Sequence, residues 1–389
     1  MTRSLECAES GLSRRSFLKA TAILTFAGLP DLSFAATPSN GRLLVILLRG
    51  GMDGLFAMPP VGEAKLSSLR RDLLPQGMLK LDGFFALHPA LQNIHDLYGQ
   101  GEAMLVHGTS SPYVGRSHFD GQNIMESGVM QPYTSASGWL GRALGASGYQ
   151  AVAMSLPVPL ILRGGGVADS RYPSWISSPP PEIYDKLKPL WAADPDIAPS
   201  GEQLVAQVSL GSGMSGGVQM GDFASLRDLA SDAGRRLAAA DGPRVAVLDH
   251  VGFDTHSGQE GTHSDKLRDV DQAIGAFRSA VGDAWKDTLV VTVTEFGRTA
   301  AENGSAGTDH GWGTCALVLG GRLRKAGILA DWPGLKPANL FEGRDLKATI
   351  DVRSLYGAIV TASLGIDPDL VQKNVIESPK DDRFSAYLA

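Results

Sequence analysis

Four short segments of this chain set carboxylates and imidazoles beside glycine. They are Arg49-Gly50-Gly51-Met52-Asp53-Gly54, Asp249-His250-Val251-Gly252-Phe253-Asp254-Thr255-His256, Thr294-Glu295-Phe296-Gly297-Arg298 and Gly307-Thr308-Asp309-His310-Gly311-Trp312-Gly313. Oxygen and nitrogen donors without thiolate suit Zn²⁺, Mn²⁺ or Mg²⁺, and a two-metal site needs several carboxylates. The plainer reading of an Asp beside Gly is a turn that bonds its own backbone. A fifth segment, Gly108 to Asp120, places Ser117 just before an expected helix with Asp120 three residues on. That spacing makes a helix cap. It equally presents a hydroxyl at a helix N-terminus, where a metal or base could activate it as a nucleophile. Thr109, Ser110 and Ser111 lie in the same loop and compete for that role.

The elements that must carry these segments are legible as short apolar runs. Leu43–Leu48, Ala103–His107, Val158–Leu162, Val245–Leu248, Leu289–Val293 and Ala316–Leu319 lack polar alternation, as strands covered on both faces do. Between Thr262 and Trp285, the residues Leu267, Val270, Ile274, Phe277 and Val281 recur at steps of three and four, an apolar helical stripe. Asp222 to Ala240 repeats the pattern with Phe223, Leu226, Ala230, Ala233 and Leu237. Strand–helix alternation of this kind predicts an α/β domain with a mainly parallel sheet. In such a sheet, ligands gather beyond the carboxyl ends of the strands. Three of the four acid and histidine segments directly follow a predicted strand, and the fourth lies just before the last one.

Composition narrows the function. The 389 residues carry a formal net charge of −6 and are 43% hydrophobic. A sizeable core is available, and an acidic chain is a poor partner for nucleic acid. Near the start, Ser13-Arg14-Arg15-Ser16-Phe17-Leu18-Lys19 precedes the apolar stretch Ala20 to Leu29 and then Ser33-Phe34-Ala35. Basic region, apolar core and small-residue cleavage site make a secretory signal, and the paired arginines match the twin-arginine address. The expectation is removal of residues 1–35, passage through the twin-arginine translocase as a folded protein, and a periplasmic or otherwise extracytoplasmic location. The apolar run is too short for a span of about 20 residues, so no stable membrane span is expected. Cys7 leaves with the signal and Cys315 remains alone, which excludes a disulfide within the mature chain and a cysteine zinc cage. Residues 36–389 then read as a single domain with a Pro/Gly-rich insertion near 168–217. Gly164-Gly165-Gly166 lacks the lysine and spacing of a phosphate-binding loop.

At these residues the chain resembles the DUF1501 proteins, a set of exported bacterial proteins of uncharacterised function. The matching pieces are Leu48-Arg49-Gly50-Gly51-Met52-Asp53-Gly54-Leu55, Leu87-His88-Pro89-Ala90-Leu91, Arg116-Ser117-His118-Phe119, Gly138-Trp139-Leu140-Gly141-Arg142, Gly252-Phe253-Asp254-Thr255-His256, Thr294-Glu295-Phe296-Gly297-Arg298-Thr299 and Gly307-Thr308-Asp309-His310-Gly311-Trp312-Gly313. That family is similar to the alkaline phosphatase and sulfatase superfamily, which implies a three-layer α/β/α sandwich with metals at the strand ends. The resemblance implies Asp53 as first ligand, Ser117 as nucleophile, Asp254 and His256 as an Asp/His pair, and His310 as the late histidine. Glu295 is followed by Phe296 where the superfamily has Asp then His.

These readings combine into an expected function: an exported metal-dependent hydrolase of phosphate or sulfate esters, acting on a small anionic substrate. Asp53, Asp254, His256, Glu295 and His310 would hold one or two divalent ions, and Arg116 or Arg298 would clamp the anion. The alternative is a catalytically inactive periplasmic binding or assembly protein on the same fold, which Phe296 at a ligand position favours.

Overall fold

A computed structural model of the chain describes residues 39–171, 186–190 and 224–388. The twin-arginine segment and most of the 168–217 insertion lie outside the described residues. At the insertion's start, Ala168–Ser170 is a strand of the main sheet.

Eleven strands are described: β1 (Arg42–Arg49), β2 (Leu79–Lys80), β3 (Ala86–Leu87), β4 (Ala103–Ser110), β5 (Ala151–Ala153), β6 (Ala168–Ser170), β7 (Val245–Val251), β8 (Thr288–Val293), β9 (Thr314–Leu319), β10 (Gly327–Ala330) and β11 (Ile350–Asp351). The main helices are α1 (Gly54–Ala57), α2 (Gln92–Gly99), α3 (His118–Ser127), α4 (Trp139–Ser147), α5 (Leu226–Ala238), α6 (Gln259–Val281) and α7 (Val352–Leu364). β2 and β3 form a small antiparallel hairpin. The other nine strands make one sheet in the order β10-β4-β9-β8-β1-β7-β5-β6, with β11 also on β4.

The sheet is mainly parallel, as the strand–helix alternation requires. Only β9 runs against its neighbours β4 and β8. Its direction follows from its connection. A parallel return needs a crossover that carries the chain back to the other end of the sheet, usually a helix. Thr294 to Gly313 contains no helix and stays at the carboxyl end of β8. The chain therefore re-enters the sheet from that end, and β9 must point the opposite way.

Helices cover both faces, giving the expected three layers. Alternate residues of β1 point to opposite sides. Leu43, Val45 and Leu47 pack with Trp139 and Leu144 of α4 and with Tyr356 and Ile359 of α7. Leu44, Ile46 and Leu48 pack with Ile94 of α2, Leu229 of α5 and Leu267, Ile274 and Phe277 of α6. Each fully buried side chain of this size contributes roughly 1.5–3 kcal/mol. Two apolar faces on one strand explain why the run lacks alternation. Cys315 belongs to the second cluster and burial pushes its thiol far up, so it is an inert core residue.

Val158–Leu162 is not a strand. Leu160–Leu162 is a turn of 3₁₀ helix, and Pro157 and Pro159 beside it have no N–H to give a sheet ladder. Among the described residues, no helix is long and apolar enough to cross a membrane.

The end of β1 sets the site's floor. Gly50 and Gly51 both have positive φ, 117° and 72°. A Cβ on Gly50 would lie 2.5 Å from the Asp254 backbone nitrogen. Gly50→Ala is therefore both strained and crowded by backbone that cannot step aside. We expect it to destabilise the protein by about 1–3 kcal/mol, read as a lowered urea midpoint at unchanged m-value. A midpoint equal to wild type would show that the loop relaxes freely.

Candidate metal centre

The loops after β1, β7 and β8 meet the start of α3 at the carboxyl end of the sheet. Ser117 caps α3, its side chain accepting a 3.5 Å hydrogen bond from the Asp120 amide. The next residue, His118, turns toward the loops. Its Nε2 lies 2.9 Å from Nε2 of His310, which in turn lies 3.0 Å from Nε2 of His256. Asp254 Oδ1 sits 3.2 Å from His310 Nε2 and 3.0 Å from His256 Nε2, and Asp254 Oδ2 sits 3.4 Å from His118 Nε2. His310 Nε2 thus lies within 3.0 Å of both other ring nitrogens, and the Asp254 carboxylate touches all three rings. Among the described residues, His118, Asp254 and His310 lie close enough together to hold a metal ion, with His256 beside them against His310 and Asp254.

The opposite nitrogen of each ring decides what the facing atoms are. His118 Nδ1 donates to Glu295 Oε1 at 2.8 Å. His256 Nδ1 donates to Asp309 Oδ1 at 3.0 Å. His310 Nδ1 donates to the Arg116 carbonyl at 2.9 Å. A carbonyl only accepts, and so does an ionised carboxylate. A neutral ring at any of these three places would consequently carry its proton on Nδ1 and leave an Nε2 lone pair, with those of His118 and His256 directed at His310. Lone pairs this close repel unless a proton or a metal cation sits among them. Such buttressing from behind is how proteins orient metal-ligating histidines. With Zn–N near 2.0–2.1 Å, two nitrogens on one ion are separated by about 2.9–3.4 Å, which the observed spacings fit.

Charge agrees. Asp254, Glu295 and Asp309 bring three carboxylates, and only Arg298 of the neighbouring cations pairs with one of them. Partial burial opposes ionisation of Asp254, but the Arg298 guanidinium against it holds the carboxyl down, to about 2. Burial likewise opposes ionisation of Glu295, and hydrogen bonds from His118, Gln122 and the Gly50 amide outweigh it. The Glu295 bond raises the pKa of His118, whereas burial lowers that of His310. The two shifts favour a proton on His118 that its Nε2 shares with His310 Nε2 at 2.9 Å, a place that a divalent cation could take instead.

The expected residues divide. Asp254, His256 and His310 converge. Glu295 is adjacent, but its Oε1 is taken by His118, Gln122 and the Gly50 amide, so it holds a ligand instead of serving as one. Asp53 is engaged elsewhere: its oxygens accept from Arg70, Gln259 and the amides of Leu55 and Phe56. A carboxylate so occupied has no lone pair to offer, which corrects its reading as first metal ligand. Arg298 is fully buried and spends its donors on the carbonyls of Gly50, Gly51, Phe253 and Thr308 and on Asp254. It locks the loops together and has no face for a substrate anion. Arg116 pairs with Glu342 and Asp345, and its backbone carbonyl is what the centre uses. Ser117 acts as a cap.

Two participants escaped the sequence reading, His118 and Asp309. His118 stood inside the matching piece Arg116-Ser117-His118-Phe119, where Ser117 drew attention. A cap side chain folds back on its own helix, so the first helical residue is the one free to face the loops. Asp309 stood next to His310, and an acid beside a ligand histidine marks a partner for a neighbouring ring.

Residues 210–375 match the family model for a protein of unknown function, DUF1501. Three of the motif pieces, those at Gly252, Thr294 and Gly307, fall inside this span and carry most of the centre. No curated protein matches. The chain is similar in structure to members of the alkaline phosphatase superfamily. The murine ectonucleotide pyrophosphatase/phosphodiesterase 5 in complex with AMP is 9% identical, over 90% of this chain and 100% of that one, at a TM-score of 0.44. The PsFucS1 sulfatase from Pseudoalteromonas sp. is 12% identical over 90% and 72%, at 0.43. A protein in the alkaline phosphatase superfamily from Vibrio parahaemolyticus is 12% identical over 92% and 76%, at 0.42.

Proposed function

We propose that this chain is an exported hydrolase of phosphate or sulfate esters that works with one divalent metal ion held by His118, Asp254, His256 and His310. The observation that carries the reading is the cluster of His118 Nε2, His310 Nε2 and the Asp254 carboxylate, with His256 Nε2 beside it, each ring pinned from behind by an acceptor. A nitrogen-rich donor set suits Zn²⁺ better than Mg²⁺. When bound, such an ion supplies Lewis-acid stabilisation of charge on a transferring anionic group. The chain's own part is to fix the four donors: Glu295 and Asp309 orient His118 and His256, and Arg298 orients Asp254. His256 is half exposed and forms the solvent side of the centre, where an ester oxygen would approach. The paired arginines at 14 and 15 support export of a folded, already loaded protein.

The purified mature chain should turn over members of a panel of phosphate and sulfate monoesters, lose turnover to a chelator and regain it with Zn²⁺. No turnover in any metal-loaded form would overturn hydrolysis. A second reading, a metal-bound binding or assembly protein, is favoured by one observation. Ser117 is spent as a cap, and Arg116 and Arg298 are spent in ion pairs, so none of the three meets a substrate as expected. Under that reading the ion stays bound and the ester panel is inert.

A further inference from the structure

A cleft of about 640 Å³ opens along the same face of α3 that carries His118. Gln122, one turn beyond His118, joins the two places. Its Nε2 donates to Glu295 Oε1 at 3.0 Å, and its Oε1 accepts from Arg49 in the cleft wall at 3.1 Å. Glu126, also in the cleft wall, lies about 12 Å along the helix from His118.

Most of the wall's charges pair within it. Arg49 pairs with Glu126 at 2.8 Å and with Asp249 at 2.6 Å. Glu126 also accepts from the Ile161 amide, and Arg163 donates to the Val158 carbonyl. Three of the four charged groups in the wall are thus tied to one another, and Arg163 is the one that meets a carbonyl instead of a carboxylate. The mouth gathers exposed apolar side chains. Phe119 is 81% exposed, Tyr133 66% and Leu156 59%, and all three line the cleft. Large apolar side chains gathered at a concave surface mark a binding site more often than chance exposure. The volume falls in the range of small-ligand pockets, about 300–1,000 Å³.

We propose that this cleft binds an uncharged, aromatic portion of a small-molecule ester, whose anionic group then reaches the metal centre. Phe119 and Tyr133 offer ring faces, and Leu156 and Leu160 add apolar lining. The placement beside the centre rests on the hydrolase reading, whereas binding in the cleft does not need the ion. The substrate class follows: aryl esters over esters of small alkyl alcohols.

The test is binding of 2-naphthol, an uncharged probe, to the full mature chain by ligand-observed NMR and equilibrium dialysis. Wild type and His310→Ala should bind it equally. Phe119→Ala and Phe119→Ala/Leu156→Ala should weaken it by about tenfold in the double variant. Both side chains are largely exposed, so these variants fold. Wild-type kcat/KM should favour 2-naphthyl over methyl esters, and the double variant should lose that preference through KM. Naphthol binding that the double variant leaves unchanged would overturn the proposal. So would tighter binding of a neutral methyl hexoside than of naphthol, or loss of a wild-type dimer in Phe119→Ala with naphthol binding intact. Naphthol binding with no ester turnover would sink the hydrolase reading and leave the cleft standing. Ester turnover without naphthol binding would do the reverse.

Discussion

Replacing His310 with alanine should strip the metal from the purified chain while leaving its fold intact. His310 Nε2 is the hub of the centre, 2.9 Å from His118, 3.0 Å from His256 and 3.2 Å from Asp254. No other donor could take its place, because the nearest remaining carboxylates, Glu295 and Asp309, are already behind the rings. Losing a partner behind a ligand typically costs 10–100-fold in metal affinity, and losing the ligand itself should exceed about 100-fold. Two variants grade the effect. Asp309→Ala removes the acceptor behind the His256 ring and should cost about 10–100-fold. Phe119→Ala, beside the centre but not in it, should change nothing. Elemental analysis after dialysis and competition with a chromophoric chelator give the affinities, and thermal unfolding of the metal-free proteins checks the fold. Stoichiometric metal in His310→Ala would mean that the four donors do not share an ion.

What the sequence disclosed depends on whether a residue's role is set locally or by partners distant in the chain. The core strands were legible because burial on both faces removes polar residues from a continuous run, as in Leu43 to Leu48. α5 and α6 were legible because one buried stripe imposes a helical period. The prolines around Val158 masked a change of conformation behind an apolar composition. β5, β6, β10 and β11, of two to four residues each, are too short to leave a pattern. The site followed the same division. Asp254, His256 and His310 lay beside glycine after predicted strands or just before one, and the fold brings them together. Whether a carboxylate binds metal, however, depends on what else reaches it. Glu295 meets a histidine 177 residues away, and Asp309 meets one 53 residues away. No local pattern records such partners. Asp53 is the sharpest case: its Asp-Gly turn reads as a strand-end ligand until Arg70 is seen.

That arginine supports the second large effect. Replacing Arg70 with methionine should destabilise the protein by about 3–5 kcal/mol, the cost of leaving a buried charge without its partner. Arg70 and Asp53 are each only 1% exposed, with contacts of 2.6 and 3.1 Å that make a two-pronged pair. Arg70 also donates to the carbonyls of Ala300 and Thr299, tying the segment after β8 to the start of α1. Burial alone would raise the pKa of Asp53, but the guanidinium beside it holds the carboxyl below its ordinary value. A depressed carboxyl contributes stability above its unfolded pKa, and that contribution fades as pH falls through the folded value. In Arg70→Met the buried, unpartnered carboxyl is pushed up instead, so its penalty is greatest at neutral pH. The gap between wild type and variant should therefore be widest near pH 7 and close as pH falls below about 4. Asp53→Asn added to Arg70→Met removes the stranded charge while keeping an oxygen to cap α1, and should recover a large part of the loss. Urea unfolding across this pH range measures all three. The metal content of Arg70→Met should equal that of wild type, because Asp53 is held apart from the four donors by its own network. A second ion per chain in that variant would instead make the guanidinium a stand-in for a cation, and Asp53 a ligand waiting for its release.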